Sequence, residues 1–272
     1  MSHTFIINRL GASVIKQILA ALLFASPLLA QAAEWRESAQ VARLFKQEGV
    51  SGTFVVYDVA ADSYTVHDRQ RANTRFIPAS TFKIPNTLIA LAHGAVASVD
   101  EVVPYGGKPV ARPEWARDMG LREAIRISNV PVYQEVARRV GLDRMRSELV
   151  RMKYGNMQAG TVVDRFWLDG PLKISAVEQT EFLTKLAQGT LPFTNVAMAA
   201  VREISRQDGA PELYAKTGWG SRPGEADIGW WVGWLKKDGK LYAFALNMDL
   251  PDGAQDKRVS LAKAALRELE LL

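Results

Sequence analysis

The stretch Ser80-Thr81-Phe82-Lys83 stands where the pattern of the chain changes from strands to helices. Phe76-Ile77-Pro78 leads directly into it, so we expect Ser80 to open a helix, with its hydroxyl near the positive end of the helix dipole. The i,i+3 spacing then places the amine of Lys83 on the same face as that hydroxyl. A serine hydroxyl beside an amine is the pairing that a covalent nucleophile and its base require. Pro85 lacks an N–H, so we expect it to distort the first turn or to restart the helix.

The S-x-x-K spacing alone is weak evidence, because common residue usage gives about one chance match in a chain of this length. It occurs here three times, at Ser13–Lys16, Ser80–Lys83 and Ser260–Lys263. The first copy lies in an N-terminal processing segment, and the third lies in the last predicted helix, where an exposed lysine is ordinary. Context therefore favours the second copy.

Strand patterns at both ends of the chain surround a helical middle. On the N-terminal side, a helix over 37–47 ends at Gly49, a C-cap, and two strands follow over 52–59 and 63–67. Residues 79–205 have mostly helical patterns, with helices predicted over 80–93, 121–128, 131–140, 143–152 (Asp143 as N-cap), 175–188 and 194–204. Three more strands and a terminal amphipathic helix are predicted over 213–217, 228–236, 241–248 and 257–271.

This order predicts an α/β fold of the α+β type. An antiparallel five-stranded sheet is built from both ends of the chain and flanked by helices, and an all-helical subdomain is inserted into it. We expect the sheet subdomain to include about 33–75 and 206–272, and the helical subdomain about 76–205. Glycine and proline are frequent over 104–113, which predicts a surface loop bordering the cleft.

The N-terminus has the pattern of a signal peptide. Arg9 and Lys16 give a positive region, 18–30 is an apolar run, and Ala30-Gln31-Ala32 is a small-x-small cleavage site. We therefore expect residues 1–32 to be removed and the mature chain, 33–272, to be exported to the periplasm, with no membrane attachment after cleavage. Removing this segment lowers the net charge from +5 to +3, because it contains two cations and no acids.

Composition excludes several kinds of function. The charge is interspersed, with no basic stripe between aromatic residues, so we expect no nucleic-acid partner. The chain has no cysteine, hence neither a disulfide nor a thiolate nucleophile. His67 and His93 are the histidines left after cleavage, and their contexts are unrelated, which disfavours both a zinc hydrolase and a Ser-His-Asp triad. We expect no metal.

Lys83 can act as a base only if its amine is not an ordinary ammonium. Burial among apolar groups lowers the pKa of a lysine, and Phe82, Ile84, Val130 and Trp167 could enclose this one. A neutral amine in a dry pocket could accept a proton directly. It could also add carbon dioxide and form a carbamate, whose oxygen would then be the base.

Three further segments fit the same chemistry: Ser128-Asn129-Val130, Tyr154-Gly155-Asn156 and Lys216-Thr217-Gly218. With Phe166-Trp167-Leu168, Trp219 and the strand Gly229-Trp230-Trp231-Val232-Gly233-Trp234, they give the chain its resemblance to class D (oxacillinase-type) serine β-lactamases over essentially its whole mature length. Ser128 is followed by Asn-Val rather than the Asp-Asn of class A enzymes, and we find no counterpart of the class A glutamate that activates water.

The resemblance implies a penicillin-recognising serine hydrolase fold and a role for each matching residue. Ser80 would form an acyl-enzyme, and Lys83, modified to N6-carboxylysine, would be the general base. The other implied catalytic residues are Trp167, which would hold the carbamate, Ser128, which would relay a proton to the leaving nitrogen, and Lys216, which would support that relay. The implied substrate-binding residues are Thr217 and Arg258 for the carboxylate, Ser80 and Trp219 for the oxyanion hole, Gly218 for close approach, Val130 and Leu168 as an apolar gate, and Tyr154 and Asn156 for the shape of the site.

The implied function is hydrolysis of penicillin-type antibiotics, and with it β-lactam resistance. β-Lactams would be the partners, and carbon dioxide or bicarbonate, as source of the carbamate, would replace any cofactor. Two alternatives share the nucleophile: a D-alanyl-D-alanine peptidase, which lacks a fast deacylation base, and a β-lactam sensor domain, which stays acylated. The Trp167 context disfavours the first. Sensors carry membrane segments and a cytoplasmic effector, for which the sequence shows no pattern.

Overall fold

The structure is a computed structural model. It describes residues 1, 33–207, 209, 212–221, 224, 226–251 and 253–272. The chain divides into two compact units, Met1–Ala33 and Glu34–Leu272, and the described helices and strands belong to the second. The predicted signal peptide lies, apart from residue 1, outside the described residues.

A single six-stranded sheet forms the centre of this unit. Its strands are β1 (Glu34–Glu37), β2 (Gly52–Asp58), β3 (Ser63–His67), β4 (Glu212–Gly220), β5 (Asp227–Lys237) and β6 (Lys240–Leu250), in the spatial order β1-β3-β2-β6-β5-β4. β1 pairs with β3 in parallel, and the other neighbours are antiparallel. The chain therefore builds the sheet from both of its ends, as the α+β prediction requires, and the fold class is confirmed.

The sheet has one strand more than the five predicted. The additional strand, β1, has the sequence Glu-Trp-Arg-Glu, and its side chains are exposed or half-buried. Three charged residues in four leave no apolar alternation, so the pattern gives no strand signal. Its last residue, Glu37, was predicted to begin the first helix, which instead begins after Ser38, whose hydroxyl accepts a hydrogen bond from the Val41 N–H.

The helices follow the predicted positions closely. They are α1 (Ala39–Glu48), α2 (Arg69–Asn73), α3 (Lys83–Ala92), α4 (Leu121–Arg126), α5 (Val130–Val140), α6 (Leu142–Met152), α7 (Ala176–Gln188), α8 (Asn195–Ser205) and α9 (Lys257–Glu268), with short 3₁₀ helices at Ala79–Phe82 and Pro113–Trp115. The short helix α2 was not predicted. Asp143 is not an N-cap: α6 begins one residue earlier, after Gly141, and the Asp143 carboxylate pairs with Arg146 at 3.2 Å.

The core lies on both faces of the sheet. On one face, Phe45 of α1 and Leu261 and Leu266 of α9 join the cluster around Trp231 and Phe244. On the other face, α7 packs against β2, β5 and β6. Full burial of a leucine or phenylalanine side chain stabilises the folded state by about 1.5–3 kcal/mol. Within the described part of the chain, no helix is long and apolar enough to cross a bilayer.

Candidate active site

The segment that carries Ser80 is held between the sheet and the helical part of the chain. The indole N–H of Trp230, on β5, donates to the Ile77 carbonyl at 2.9 Å, and the Ala79 N–H donates to the Trp167 carbonyl at 2.9 Å. Ala79 has a φ of 48°, in the left-handed region that a residue with a Cβ seldom adopts. This turn brings the chain into the 3₁₀ helix Ala79–Phe82, on which Ser80 lies directly before the first turn of α3.

Ser80 and Lys83 are in direct contact. Lys83 Nζ donates a hydrogen bond to Ser80 Oγ at 2.9 Å, as the i,i+3 spacing predicts. Ser80 is 8 % exposed and reaches the cleft, whereas Lys83 is 0 % exposed. Pro85 lies in the first turn of α3, where the missing N–H costs no helical hydrogen bond. The Ser80 hydroxyl therefore reaches the cleft, whereas the amine of Lys83 is shielded from water.

Lys83 is buried with its amine against an aromatic ring, and among the described residues it forms no ion pair. Its Nζ lies 5.2 Å from the centroid of the Tyr133 ring, and the Tyr133 hydroxyl is 2.8 Å from Thr87 Oγ1. Burial, reinforced by the positive charges of Lys216 and Arg112, lowers the pKa of Lys83 well below its usual value of 10.5. The amine is thus held toward its neutral form, which can accept a proton or react with an electrophile.

A second buried lysine faces the other serine. Lys216 Nζ, on β4, donates to Ser128 Oγ at 3.1 Å and to the carbonyl and hydroxyl oxygens of Thr217 at 3.0 and 3.1 Å. Ser128 lies between α4 and α5 with a φ of 61°, and the next residue, Asn129, caps α5 through the Val132 N–H. Burial first, and then Arg258 and Arg112, lowers the pKa of Lys216 to about 7.

Strand β4 is an edge strand, and it runs directly beside the 3₁₀ helix of Ser80. A Cβ at Gly218 would lie 3.1 Å from both the Pro78 carbonyl oxygen and the Thr81 methyl group, so glycine lets the strand approach the nucleophile segment. The Gly218 carbonyl accepts a hydrogen bond from Arg258 Nη1 at 2.7 Å. Trp219 is 41 % exposed, and its indole N–H donates to Asp227 at 2.6 Å.

These elements enclose a cleft of about 440 Å³, large enough for a small drug-sized ligand. Of the residues predicted for the site, seven line it: Ser80, Ser128, Val130, Leu168, Thr217, Trp219 and Arg258. Lys83, Lys216 and Gly218 lie directly behind this lining, in contact with Ser80, Ser128 and Arg258 respectively. Trp167 is fully buried, and its ring stacks on Phe82 with centroids 5.3 Å apart.

Tyr154 and Asn156 lie outside the cleft lining. Tyr154 is buried and packs edge-on against Phe82, at 5.8 Å between ring centroids. The Asn156 amide donates to the Pro171 carbonyl at 2.8 Å, and its side-chain oxygen accepts from the Lys173 N–H at 3.0 Å. The segment therefore braces the loop that follows Trp167 and Leu168, so its effect on the site is through the position of that loop.

The sequence pattern did not indicate the other six described residues that line the cleft as site residues. They are Ala111, Arg112, Glu114, Trp115, Arg126 and Ile127. The glycine- and proline-rich loop over 104–113 was predicted to border the cleft, and Ala111 and Arg112 of this loop line it, but nothing in the pattern pointed to one side chain. Arg112 lies close enough to contribute to the lowered pKa values of Lys83, Lys216 and Arg258.

The described residues contain no cluster of three or more histidine, cysteine or acidic side chains able to hold a metal ion. The groups that the cleft offers are two serine hydroxyls, each hydrogen-bonded to a buried lysine, beside an edge strand and three guanidinium groups. This arrangement suits acyl transfer from an anionic substrate: one hydroxyl attacks, and the second lies where a leaving group can be protonated.

The fold and this pair of serine–lysine contacts define a penicillin-recognising serine enzyme. The family model "Penicillin binding protein transpeptidase domain" matches residues 52–269, and the chain belongs to this family.

Within that family the relatives are specific. The chain is 42 % identical over 210 residues to "Beta-lactamase OXA-5" of Pseudomonas aeruginosa (76 % of this chain, 79 % of the relative), and 38 % identical over 247 residues to "Beta-lactamase OXA-48" of Klebsiella pneumoniae (89 % and 92 %). The crystal structure of FUS-1 (OXA-85), a class D β-lactamase from Fusobacterium nucleatum subsp. polymorphum, superposes with a TM-score of 0.84 at 40 % identity, covering 87 % of this chain and all of that one. The chain is a class D serine β-lactamase, a hydrolase acting on cyclic amides, as the motifs predicted.

Proposed function

We propose that the enzyme hydrolyses the ring of penicillin-type antibiotics through an acyl-enzyme on Ser80. Ser80 Oγ attacks the lactam carbonyl carbon, the ring C–N bond breaks, and water later releases the opened product. The contact that carries the proposal is the 2.9 Å hydrogen bond between Ser80 Oγ and the fully buried Lys83 Nζ. A hydroxyl is a weak nucleophile until a positioned base removes its proton, and a buried neutral amine fits that role.

Carboxylated Lys83 is the proposed base for both halves of the reaction. Carbon dioxide adds to a neutral amine and not to an ammonium, so the lowered pKa of Lys83 favours the modification. The carbamate supplies an oxygen that can accept a proton from Ser80 and later from the hydrolytic water. Trp167, whose ring stacks on Phe82 beside Lys83 in the chain, would hold this group with its indole N–H.

Ser128 and Lys216 are proposed to deliver the proton to the departing ring nitrogen. Their 3.1 Å contact gives Ser128 a donor on one side while its hydroxyl faces the cleft. Because the pKa of Lys216 is about 7, its ammonium and neutral forms are both populated near neutral pH. An anionic substrate beside Lys216 favours the ammonium form. Substrate binding would therefore put Lys216 in the protonated form that supports proton transfer through Ser128.

The remaining residues are proposed to hold the substrate. Thr217 and Arg258 would bind the ring carboxylate, because a guanidinium matches a planar anion. The backbone N–H groups of Ser80 and Trp219 would stabilise the oxyanion, typically the largest electrostatic contribution in acyl transfer. The other proposed contributions are close approach at Gly218, an apolar gate of Val130 and Leu168, and bracing of the gate loop by Tyr154 and Asn156.

The mature enzyme is proposed to be exported to the periplasm. The positive region, apolar run and cleavage site over 1–32 support removal of a signal peptide and a periplasmic mature enzyme. In that compartment the enzyme would destroy β-lactams before they reach the cell-wall transpeptidases, and would confer resistance on its host.

The decisive experiment is multiple turnover of a chromogenic cephalosporin by the purified mature chain. We expect product in large molar excess over enzyme. A D-alanyl-D-alanine peptidase or a β-lactam sensor would instead give one burst equal to the enzyme concentration, because each stays acylated. A single burst with no further product contradicts the proposal.

A further inference from the structure

The charged lining of the cleft contains more positive charge than one substrate carboxylate requires. Among the described residues that line it, the charged side chains are Arg112, Arg126, Arg258 and Glu114. Arg258 is fixed to strand β4 through the Gly218 carbonyl, next to Thr217, and takes the ring carboxylate in the proposed function. That role leaves two lining arginines without an assigned function: Arg126, which lies 4.0 Å from Glu123, and Arg112, which lies on a different element from Arg258.

Arg112 lies beside Trp115, a residue that is hydrogen-bonded to the Ser128 segment. Its guanidinium carbon lies 5.4 Å from the centroid of the Trp115 ring, close enough for a cation–π contact. Trp115 is in turn fixed to the segment of Ser128: its indole N–H donates to the Ile127 carbonyl at 3.1 Å, and its own carbonyl accepts from the Asn129 amide at 3.2 Å. The guanidinium is therefore presented from the wall that carries Ser128, and Arg258 from strand β4.

Arg112 is also poorly neutralised within the protein. Its ion pair with Glu114 has an N–O distance of 3.9 Å, beyond hydrogen-bond reach, and the two side chains are 39 % and 51 % exposed. Exposed pairs of this kind contribute little, about 0–1 kcal/mol. A planar anion that meets the guanidinium with two hydrogen bonds competes easily with such a contact.

We propose that Arg112 forms a second anion subsite, which favours β-lactams whose acyl side chain carries its own carboxylate or sulfonate in addition to the ring carboxylate. This inference rests on the proposed function, because it assigns the ring carboxylate to Thr217 and Arg258. In a penicillin the acyl side chain leaves the lactam ring on the side away from that carboxylate. A second anion in that chain can then meet the Ser128 wall while the first stays on β4.

The test compares two penicillins that differ by one charge, benzylpenicillin and its α-carboxy derivative. The readout is the ratio of their kcat/KM values, dianion over monoanion. In this ratio any effect of Arg112 on Lys83 or Lys216 cancels, because it acts on both substrates. We expect Arg112→Met to lower the ratio about tenfold, the worth of one charge-assisted contact. Arg112→Lys should stay within about threefold of the parent, and Glu114→Gln should raise the ratio.

Arg43→Gln removes the same charge from an exposed position of α1 outside the cleft lining, and is the control for net charge. Its ratio should equal that of the parent enzyme. An unchanged ratio in Arg112→Met, or an equal fall in Arg43→Gln, overturns the subsite. The two proposals fail differently: if the parent enzyme turns over neither penicillin, the proposed function is wrong, whereas turnover with no response to Arg112 removes only the subsite.

Discussion

The chain carries the same S-x-x-K spacing in two described helices, and the surroundings of the two copies are opposite. Ser80 and Lys83 are buried, and the lysine Nζ lies 2.9 Å from the serine Oγ. Ser260 is exposed on the surface of α9, and its hydroxyl donates to the carbonyls of Asp256 and Lys257, at 3.3 and 3.2 Å. The i,i+3 spacing places the serine and the lysine of each pair on the same helix face. The side chains of Ser80 and Lys83 are in contact because they are buried together.

The difference shows what the sequence motif omits. A surface serine near a helix N-terminus bonds backbone carbonyls, and a surface lysine extends into water. At Ser80 the 3₁₀ turn, the bond from Ala79 to Trp167 and the packing of β4 fix the hydroxyl, and full burial deprives the lysine of water. The contact between Ser80 and Lys83 therefore depends on the residues that enclose the pair. Removing one part of that enclosure should change the chemistry, whereas the matching change in the surface copy should not.

The largest effect on activity is expected at Ser80, the proposed nucleophile. Ser80→Ala should lower kcat for a penicillin by at least about 10³-fold, because no other hydroxyl can form the acyl-enzyme. Its melting temperature should stay near that of the parent, since the hydroxyl contributes little packing. Ser260→Ala should leave kcat unchanged. Intact mass spectrometry after penicillin treatment provides the check, and covalent labelling of the Ser80→Ala protein at another serine would sink the assignment.

Which parts of this enclosure are readable from sequence depends on how local their signals are. The Ser80–Lys83 copy could be chosen because Pro78 before Ser80 marks a helix start, and the strands could be placed because apolar residues alternate along them. The strand β1 was missed because three of its four residues are charged, and it is a strand only because β3 offers it an unpaired edge.

Side chains that act at a distance from any motif were not predictable. Arg112 lies in an irregular loop, and the bond from Trp115 to Ile127 that places it joins residues with no shared pattern. Tyr154 and Asn156 were recognised in a motif, yet their positions depend on contacts far along the chain: Asn156 bonds residues 171 and 173, and Tyr154 packs against Phe82 and Phe182. Spacing within one element can be read from a sequence, whereas contacts between loops require the fold.

The next largest effect tests the base. In degassed buffer at fixed mildly acidic pH, turnover by the parent enzyme should fall, and bicarbonate should restore it, because the carbamate needs dissolved carbon dioxide and a neutral amine. Lys83→Ala should abolish both deacylation and the bicarbonate response, with a loss of at least about 10²-fold in kcat. Lys263→Ala, in the surface copy, should respond like the parent. Equal rates with and without bicarbonate, and no added carbamate mass on Lys83, would leave a free amine as the base.

A smaller effect is expected from opening the wall beside the lysine. Trp167→Ala should admit water, favour the ammonium over the carbamate, and slow deacylation by about tenfold more than acylation. The acyl-enzyme should then accumulate and appear in intact mass spectra. Removing a buried tryptophan costs about 3–5 kcal/mol of stability, so the control is Trp234→Ala, which is equally buried but stacks on Tyr214 instead. A trapped species in both variants, or in neither, shows that Trp167 acts only through packing.

The smallest effect is a dependence of stability on pH, and its sign follows from the lowered pKa of Lys83. In carbon-dioxide-free buffer, the unfolded chain keeps a proton on this lysine up to about its usual pKa of 10.5, whereas the folded protein releases it at much lower pH. Between those two pKa values the unfolded state binds more protons, so the stability of the folded state rises with pH. Below the lower pKa both states are protonated, and the buried charge destabilises the fold by a constant amount.

Lys83→Met removes this dependence while keeping an unbranched side chain in the same space. The melting temperature of the variant should therefore exceed that of the parent most at low pH, and the excess should shrink as pH rises through the lowered pKa of Lys83 toward its usual value of 10.5. Each kcal/mol of difference corresponds to about 2–4 °C for a chain of this size. Lys216, with a folded pKa of about 7, adds its own rise in stability above pH 7 to both proteins. Lys263→Met, on α9, is the control, and its melting temperature should depend on pH as that of the parent does.

A difference in melting temperature between Lys83→Met and the parent that stays constant over this pH range would contradict the prediction. It would mean that the buried lysine keeps its proton, and the enclosure would then not account for its reactivity.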